Sequence, residues 1–198
     1  MDSFDKKYNN KYYNDAYLRA NEYKKHYSNF TFLPLIKNTE IILSKNFNNK
    51  NVKILDIGCG PGHLANYLED KGYLDYTGID FSSQAISMAK KISSYNFYVE
   101  NIYNTDKFDN NYDVIIGSEV LEHLGSDLEV IKKINKNTFC IFSLPTFGGP
   151  GHARSFKSDQ EVFDRYGDFF DIVDPIISIG KRKKTGLPKW LIFCGKKK

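Results

Sequence analysis

The stretch Val52-Lys53-Ile54-Leu55-Asp56-Ile57-Gly58-Cys59-Gly60-Pro61-Gly62-His63-Leu64 decides how the chain is read. An apolar run ends in an acid, glycines follow at alternate positions, and a helical pattern begins at once. Such a run reads as a strand buried on both faces. The glycines let the backbone turn sharply and let a ligand approach where a Cβ would clash. Free N–H groups at the start of the next helix add partial positive charge. A glycine-rich turn alone also fits phosphate and dinucleotide sites. The spacing Gly58-x-Gly60-x-Gly62 departs from the dinucleotide Gly-x-Gly-x-x-Gly, and Asp56 at the strand end would repel a pyrophosphate. A carboxylate there suits a cationic amino-acid moiety. S-adenosylmethionine has that chemistry: an ammonium, a sulfonium and no phosphate.

Outward from this loop, short apolar runs alternate with helical stretches. Strands are expected at Val52–Ile57, Tyr76–Ile79, Phe97–Glu100, Asp113–Gly117 and Phe139–Leu144, with helices at about 62–71, 82–93, 126–135 and 158–166. Alternation of this kind implies a parallel sheet with helices on both faces, because parallel strands need crossover connections. The end differs. Ile172–Ile179 and Trp190–Cys194 are strand-like runs with no helix between them, so they should pair antiparallel as a hairpin. Before residue 50 the chain is polar and rich in tyrosine, with a helix expected from Leu33 to Phe47. One domain over 1–198 is expected, with 1–50 a helical cap or lid and 51–198 the core.

The second anchor is Asp80, at the end of the second strand and 18 residues after Gly62. An acid in that place can accept hydrogen bonds from both ribose hydroxyls. Phe81 beside it can pack on an adenine face.

Three segments then carry a resemblance: Asp56-Ile57-Gly58-Cys59-Gly60-Pro61-Gly62, Gly78-Ile79-Asp80, and Tyr112-Asp113-Val114-Ile115-Ile116-Gly117-Ser118-Glu119-Val120-Leu121-Glu122-His123-Leu124. In order and spacing they resemble successive motifs of class I S-adenosylmethionine-dependent methyltransferases, and most of all the ubiquinone-biosynthesis-like and small-molecule group. The resemblance implies a Rossmann-like α/β fold, doubly wound, with a mostly parallel seven-stranded sheet and an antiparallel C-terminal hairpin. It implies S-adenosyl-L-methionine as cofactor, held by Asp56, Gly58, Cys59, Gly60, Gly62, His63, Asp80 and Phe81. It further implies that Asn101 and Ile102 meet the adenine edge, and that Ser118 and Glu119 line the cleft.

Ligands of open parallel sheets sit at the carboxyl ends of the strands. The acceptor is therefore expected against Ser118–His123 and the Gly- and Pro-rich segment 143–156. His152 in that segment is the expected general base, and Arg154 the expected holder of an anionic group. His123, Tyr23 and Tyr27 are the further expected substrate contacts, the tyrosines as part of a lid. A small or carrier-linked acceptor is expected, with O-methylation favoured and no metal. Glu119, Glu122 and His123 with a distant histidine, for which His152 is the candidate, are also similar to the metal-binding set of small-RNA 2′-O-methyltransferases; on that alternative, Glu119 and His123 share a helix face. A non-catalytic cofactor-binding scaffold is the other alternative, opposed by the intact glycines and acids.

Charge is uneven. Residues 181–198 carry eight Lys or Arg and no acid, residues 1–50 contribute +4, and the middle carries −8. The tail reads as a solvated basic hairpin, with contact to an anionic acceptor (a nucleotide sugar or RNA) as the alternative. No apolar run approaches the ~18 residues of a membrane span. Met1–Asp5 lacks the pattern of a signal peptide, and Cys59, Cys140 and Cys194 suggest neither a disulfide framework nor a metal clip. A cytoplasmic protein is the expectation.

Overall fold

The computed structural model describes residues 8–173 and 175–198; the segment Met1–Asp5, read above for a signal, lies outside them. Five parallel strands form first: β1 (Lys53–Ile57), β2 (Asp75–Asp80), β3 (Asn96–Val99), β4 (Val114–Ser118) and β5 (Phe139–Pro145). β6 (Phe170–Ile172), β7 (Ile177–Ile179) and β8 (Trp190–Lys197) complete one sheet in the order β3-β2-β1-β4-β5-β8-β6. β8 runs antiparallel to β5 on one side and to both β6 and β7 on the other. Eight strands thus fill seven positions, because the edge strand read from sequence as Ile172–Ile179 is broken in two. β1 lies between β2 and β4, so the chain leaves it in one direction and returns on its other side. That reversal opens a crevice at the carboxyl ends of β1 and β4.

Helices cover both faces. α1 (Asn10–Arg19) and α2 (Leu33–Asn46) precede the sheet; α3 (His63–Asp70), α4 (Ser83–Ile92), α5 (Asp127–Lys133) and α6 (Asp159–Tyr166) are crossovers. Alternation along β1 divides the core. Ile54 packs with Leu35, Leu43, Leu68 and Ile86 on one face. Leu55 and Ile57 pack with Val130, Ile131, Val162 and Tyr166 on the other. Among the described residues, no helix is long and apolar enough to cross a membrane.

Within the N-terminal cap, the bounds of α1 were not read from sequence; only a helix from Leu33 was. The signal for α1 is local: Asn9 accepts the Tyr12 N–H at 3.3 Å as an N-cap, and Tyr13, Ala16, Tyr17 and Ala20 fall at helical spacing. α1 is tied to the start of α4 by Asn14, whose Oδ1 accepts from Ser82 Oγ at 2.6 Å and the Gln84 N–H at 3.2 Å. Asn10 Nδ2 donates to the Phe81 carbonyl. Helix α1 thereby lies over the crevice.

Candidate active site

The crevice holds two cavities that share lining residues. The smaller, about 120 Å³, is lined by Asp80, Phe81, Asn101 and Ile102 at the ends of β2 and β3. The larger, about 330 Å³, is lined by Asp56, Cys59, Gly60, His63, Ser118 and Phe147, among others. Gly58, Glu119 and His123 line both.

The turn after β1 fits its neighbours only without side chains. Gly58 has φ +70, and a Cβ there would strike the Val120 side chain. Gly62 has φ +85, and its Cβ would lie 2.9 Å from that of Ala89 on α4. Both positions combine a left-handed backbone with a close approach, so any L side chain would be strained.

Asp56 is buried, with Oδ2 taking the Tyr76 hydroxyl at 2.5 Å. Its Oδ1 is buried and has no hydrogen-bond partner. Burial pushes its pKa up to about 7, against the hydrogen bond from Tyr76. A buried carboxylate oxygen that lines a cavity without a partner fits a cation arriving with the ligand. Asp80 is fixed differently: one oxygen accepts the Gly60 N–H at 3.0 Å and the other the Ser82 N–H at 2.8 Å. Burial raises its pKa to about 6, opposed by those two bonds. Each oxygen keeps acceptor capacity for a hydroxyl. Asn101 makes a local turn in which Oδ1 accepts the Tyr103 N–H at 3.0 Å, which leaves this amide limited capacity to accept from an amine.

Between β4 and α5 the structure departs from expectation. Leu121–His123 is a single 3₁₀ turn, and Glu119 has φ 56. Glu119 and His123 therefore do not share an α-helical face. Glu119 is held by its neighbours: Ser143 Oγ accepts its N–H at 2.9 Å and donates to Oε1 at 3.0 Å, and the Trp190 indole donates to Oε2 at 2.9 Å. Glu122 is fully buried, and neither carboxylate oxygen has a hydrogen-bond partner. Burial raises the pKa of both acids, and for Glu122 the charge of Glu119 adds to it.

Two histidines stand beside Glu122. His123 Nδ1 lies 2.6 Å from the Gly151 carbonyl and 2.9 Å from the Tyr13 hydroxyl. His152 Nδ1 lies 3.2 Å from the Phe147 carbonyl. A carbonyl only accepts, so in both rings Nδ1 carries the proton and Nε2 presents a lone pair. The rings meet edge to face at 4.8 Å. Burial lowers the pKa of both, that of His123 to about 4. Ligating atoms of Glu122, His123 and His152 all lie within 4.8 Å of one another.

Two expected substrate contacts lie elsewhere. Arg154 donates to the carbonyls of Leu121, Leu124 and Gly125 and pairs with buried Asp127 at 3.3 Å. Its charge is spent on the turn after β4, so it does not face an acceptor. The Tyr27 hydroxyl donates to Asp70, and its ring packs on Tyr67, away from both cavities. Tyr23 does line the larger cavity. His63 lines it too, with Nε2 against the Lys25 carbonyl at 2.9 Å and its ring stacked on Phe30 at 3.9 Å. Tyr13, Tyr17 and Trp190 were missed, because only the docking of α1 and β8 brings them to the crevice.

Known proteins agree with this architecture. A family model described as a methyltransferase domain matches residues 23–167. The ubiquinone biosynthesis O-methyltransferase of Rickettsia akari (strain Hartford) is 33% identical over 100 residues, 46% of this chain and 39% of that protein. The chain spans less than half the length of the curated relatives it matches. Among solved structures, the PH0226 protein from Pyrococcus horikoshii OT3 matches with a TM-score of 0.70 at 16% identity, over 93% of this chain and 99% of that one. Magnesium protoporphyrin IX methyltransferase from Synechocystis PCC 6803 with bound SAH matches at 0.63 and 17% identity, over 82% of each chain. With the glycine turn, the two acids and the doubly wound sheet, these matches show that the chain belongs to the methyltransferase-domain family, the class I S-adenosylmethionine-dependent methyltransferases.

Proposed function

We propose that the chain methylates a hydroxyl of a small or carrier-linked acceptor that occupies the larger cavity. The observation that carries this reading is shared lining: Asp56, Gly58 and Gly60 border the same space as His123 and His152. Bound in the crevice, S-adenosylmethionine supplies a methyl group already activated on a sulfonium. Asp56 would hold the ammonium, Asp80 the ribose hydroxyls, and Asn101 and Ile102 the adenine edge beside Phe81. Gly58, Cys59, Gly60 and Gly62 would offer backbone, with His63, Ser118 and Glu119 closing the methionine side. Tyr23 and His123 would contact the acceptor. Much of the rate would come from alignment, for which effective molarities of ~10⁵–10⁸ M are the general scale.

His152 is the proposed base. Its Nε2 lone pair is available, and partial burial keeps the ring neutral at physiological pH. The pKa lies below the ordinary ~6.5, so the rate should fall only as pH drops beneath that value. The test is methyl transfer from labelled S-adenosylmethionine to a panel of phenols. His152→Ala should lower kcat ~10²-fold or more, abolish that acid limb and leave S-adenosylhomocysteine affinity unchanged. A raised KM with kcat intact would make His152 a binding residue instead.

A second reading has its own observation. Glu122, whose carboxylate oxygens accept no hydrogen bond, and two carbonyl-anchored imidazoles form a set that fits a divalent ion polarising the acceptor hydroxyl. Glu119 does not join it, since Trp190 and Ser143 occupy its oxygens. In the same assay, activity lost to a chelator and restored by a divalent ion would favour this reading; activity intact in chelator would leave the base mechanism.

A further inference from the structure

With Arg154 committed to carbonyls and Asp127, the acceptor loop offers no free cation of its own where one was expected. The loop between β7 and β8 stands beside it with five: Lys181, Arg182, Lys183, Lys184 and Lys189. Among the described residues none of the five is in an ion pair. The loop has a defined shape. The Arg182 N–H donates to the Leu187 carbonyl at 2.8 Å, and the Gly186 N–H to the Arg182 carbonyl at 2.9 Å. It is also sewn to the exit of β5: the Thr146 N–H donates to the Lys189 carbonyl at 3.0 Å, and Thr146 Oγ to the Pro188 carbonyl at 2.5 Å.

Arg182 is the inner member. Its Nη1 donates to the Thr146 carbonyl at 3.1 Å, and the guanidinium lies 5.6 Å from the centre of the Phe147 ring. Phe147 lines the larger cavity, 6.0 Å from the His152 ring. One aromatic ring therefore separates an anchored guanidinium from the space beside the two histidines. A guanidinium carries five N–H donors in a planar fork, and one carbonyl uses one of them. What remains matches an oxyanion in bidentate geometry.

We propose that Arg182 and its flanking lysines bind a phosphate carried by the methyl acceptor, making the acceptor a small phosphorylated molecule that enters past Phe147. This rests on the larger cavity being the acceptor's. A doubly charged phosphate answers several clustered cations better than a single carboxylate does. The division of the basic tail favours a small molecule over a nucleic acid. Along β8, Lys189 stands about 23 Å from Lys196 and about 30 Å from Lys198 at ~3.3 Å per residue. At that far end Lys198 donates to the Gly167 carbonyl and pairs with Asp171 at 3.7 Å, and Lys197 lies over Phe169. A nucleic-acid backbone is followed by a continuous basic stripe, and here the charge forms two separate patches.

The test is calorimetry on the full chain saturated with S-adenosylhomocysteine, with phenyl phosphate, phenol and a single-stranded RNA oligonucleotide as probes. Phenyl phosphate should bind at least tenfold tighter than phenol. Arg182→Gln should erase that preference and Arg182→Lys restore part of it, while Lys198→Gln changes nothing. Equal binding of phenol and phenyl phosphate, no binding of either, or an Arg182→Gln variant that keeps the preference overturns the proposal. RNA that binds tighter than phenyl phosphate and is weakened alike by Arg182→Gln and Lys198→Gln overturns the small-molecule class. The cofactor-product titration, run first, reads the methyltransferase site independently, since Arg182 lies outside it.

Discussion

At the scale of single residues, buried Asp56 carries a stability cost that a cation beside its unpartnered Oδ1 would relieve. Its pKa in the free protein stands near 7, above the ~3.9 of an unfolded aspartate. Between those values the folded chain binds more protons than the unfolded one, so stability falls as pH rises through that window. An ammonium beside Oδ1 reverses the balance by favouring the carboxylate. Asp56→Asn should therefore raise the Tm of the cofactor-free protein at pH 8 and leave it nearly unchanged at pH 4. The same variant should weaken S-adenosylhomocysteine at least tenfold. Thermal melts across pH and calorimetry check both halves; a lower Tm at pH 8 would mean that the Tyr76 bond outweighs desolvation. Affinity of the wild type for the cofactor product should likewise rise with pH through about 6 to 7.

At the scale of elements, α1 is the part whose position governs access. It lies over both cavities through Tyr13 and Tyr17, and Asn14 fastens it to the N-terminus of α4. Each of those hydrogen bonds contributes roughly 0.5–1.5 kcal/mol. Asn14→Ala should raise the Kd for S-adenosylhomocysteine about five- to tenfold, mostly through faster release, with Tm shifted by little. Stopped-flow release with a melt separates this outcome from general unfolding. Unchanged release kinetics would mean that α1 covers the crevice without controlling it. The 3₁₀ turn after β4 is the second decisive element. Just before it, left-handed Glu119 is held by Ser143 on β5 and Trp190 on β8, so three strands fix one carboxylate in the crevice.

At the scale of the whole molecule, the crevice proposed for the ligand is assembled from the ends of β1, β2, β3, β4 and β5 together with α1. A ligand spanning those pieces binds only the folded chain. At 100-fold excess over its Kd it adds ~2.7 kcal/mol of stability, which for a chain of this size is roughly 5–10 °C in Tm. S-adenosylhomocysteine should produce that rise, and reduced nicotinamide dinucleotide none, in a thermal-shift series. A rise with the dinucleotide would contradict the argument from glycine spacing.

Local chemistry made much of this legible beforehand. The run Val52–Leu64 names a strand, a turn and a helix, because burial, left-handed backbone and amphipathic period are properties of neighbouring residues. Asp80 is similar, as an acid at a strand end. The antiparallel hairpin followed from the lack of a helix between residues 179 and 190. What depends on distant segments stayed hidden. Arg154 looked like an anion-binding residue until the fold set it against three carbonyls and Asp127. Glu119 and His123 looked like one helical face until β5 and β8 pulled Glu119 into a left-handed turn. Trp190 and Tyr13 gave no signal, since their partners lie 71 and 110 residues away. The strand–turn–helix signature, the sheet and the acids at the ends of its first two strands could be read from neighbouring residues alone. Which side chains spend their donors on the fold and which keep them free emerges only from packing, because it depends on which carbonyls and carboxylates come within about 3 Å.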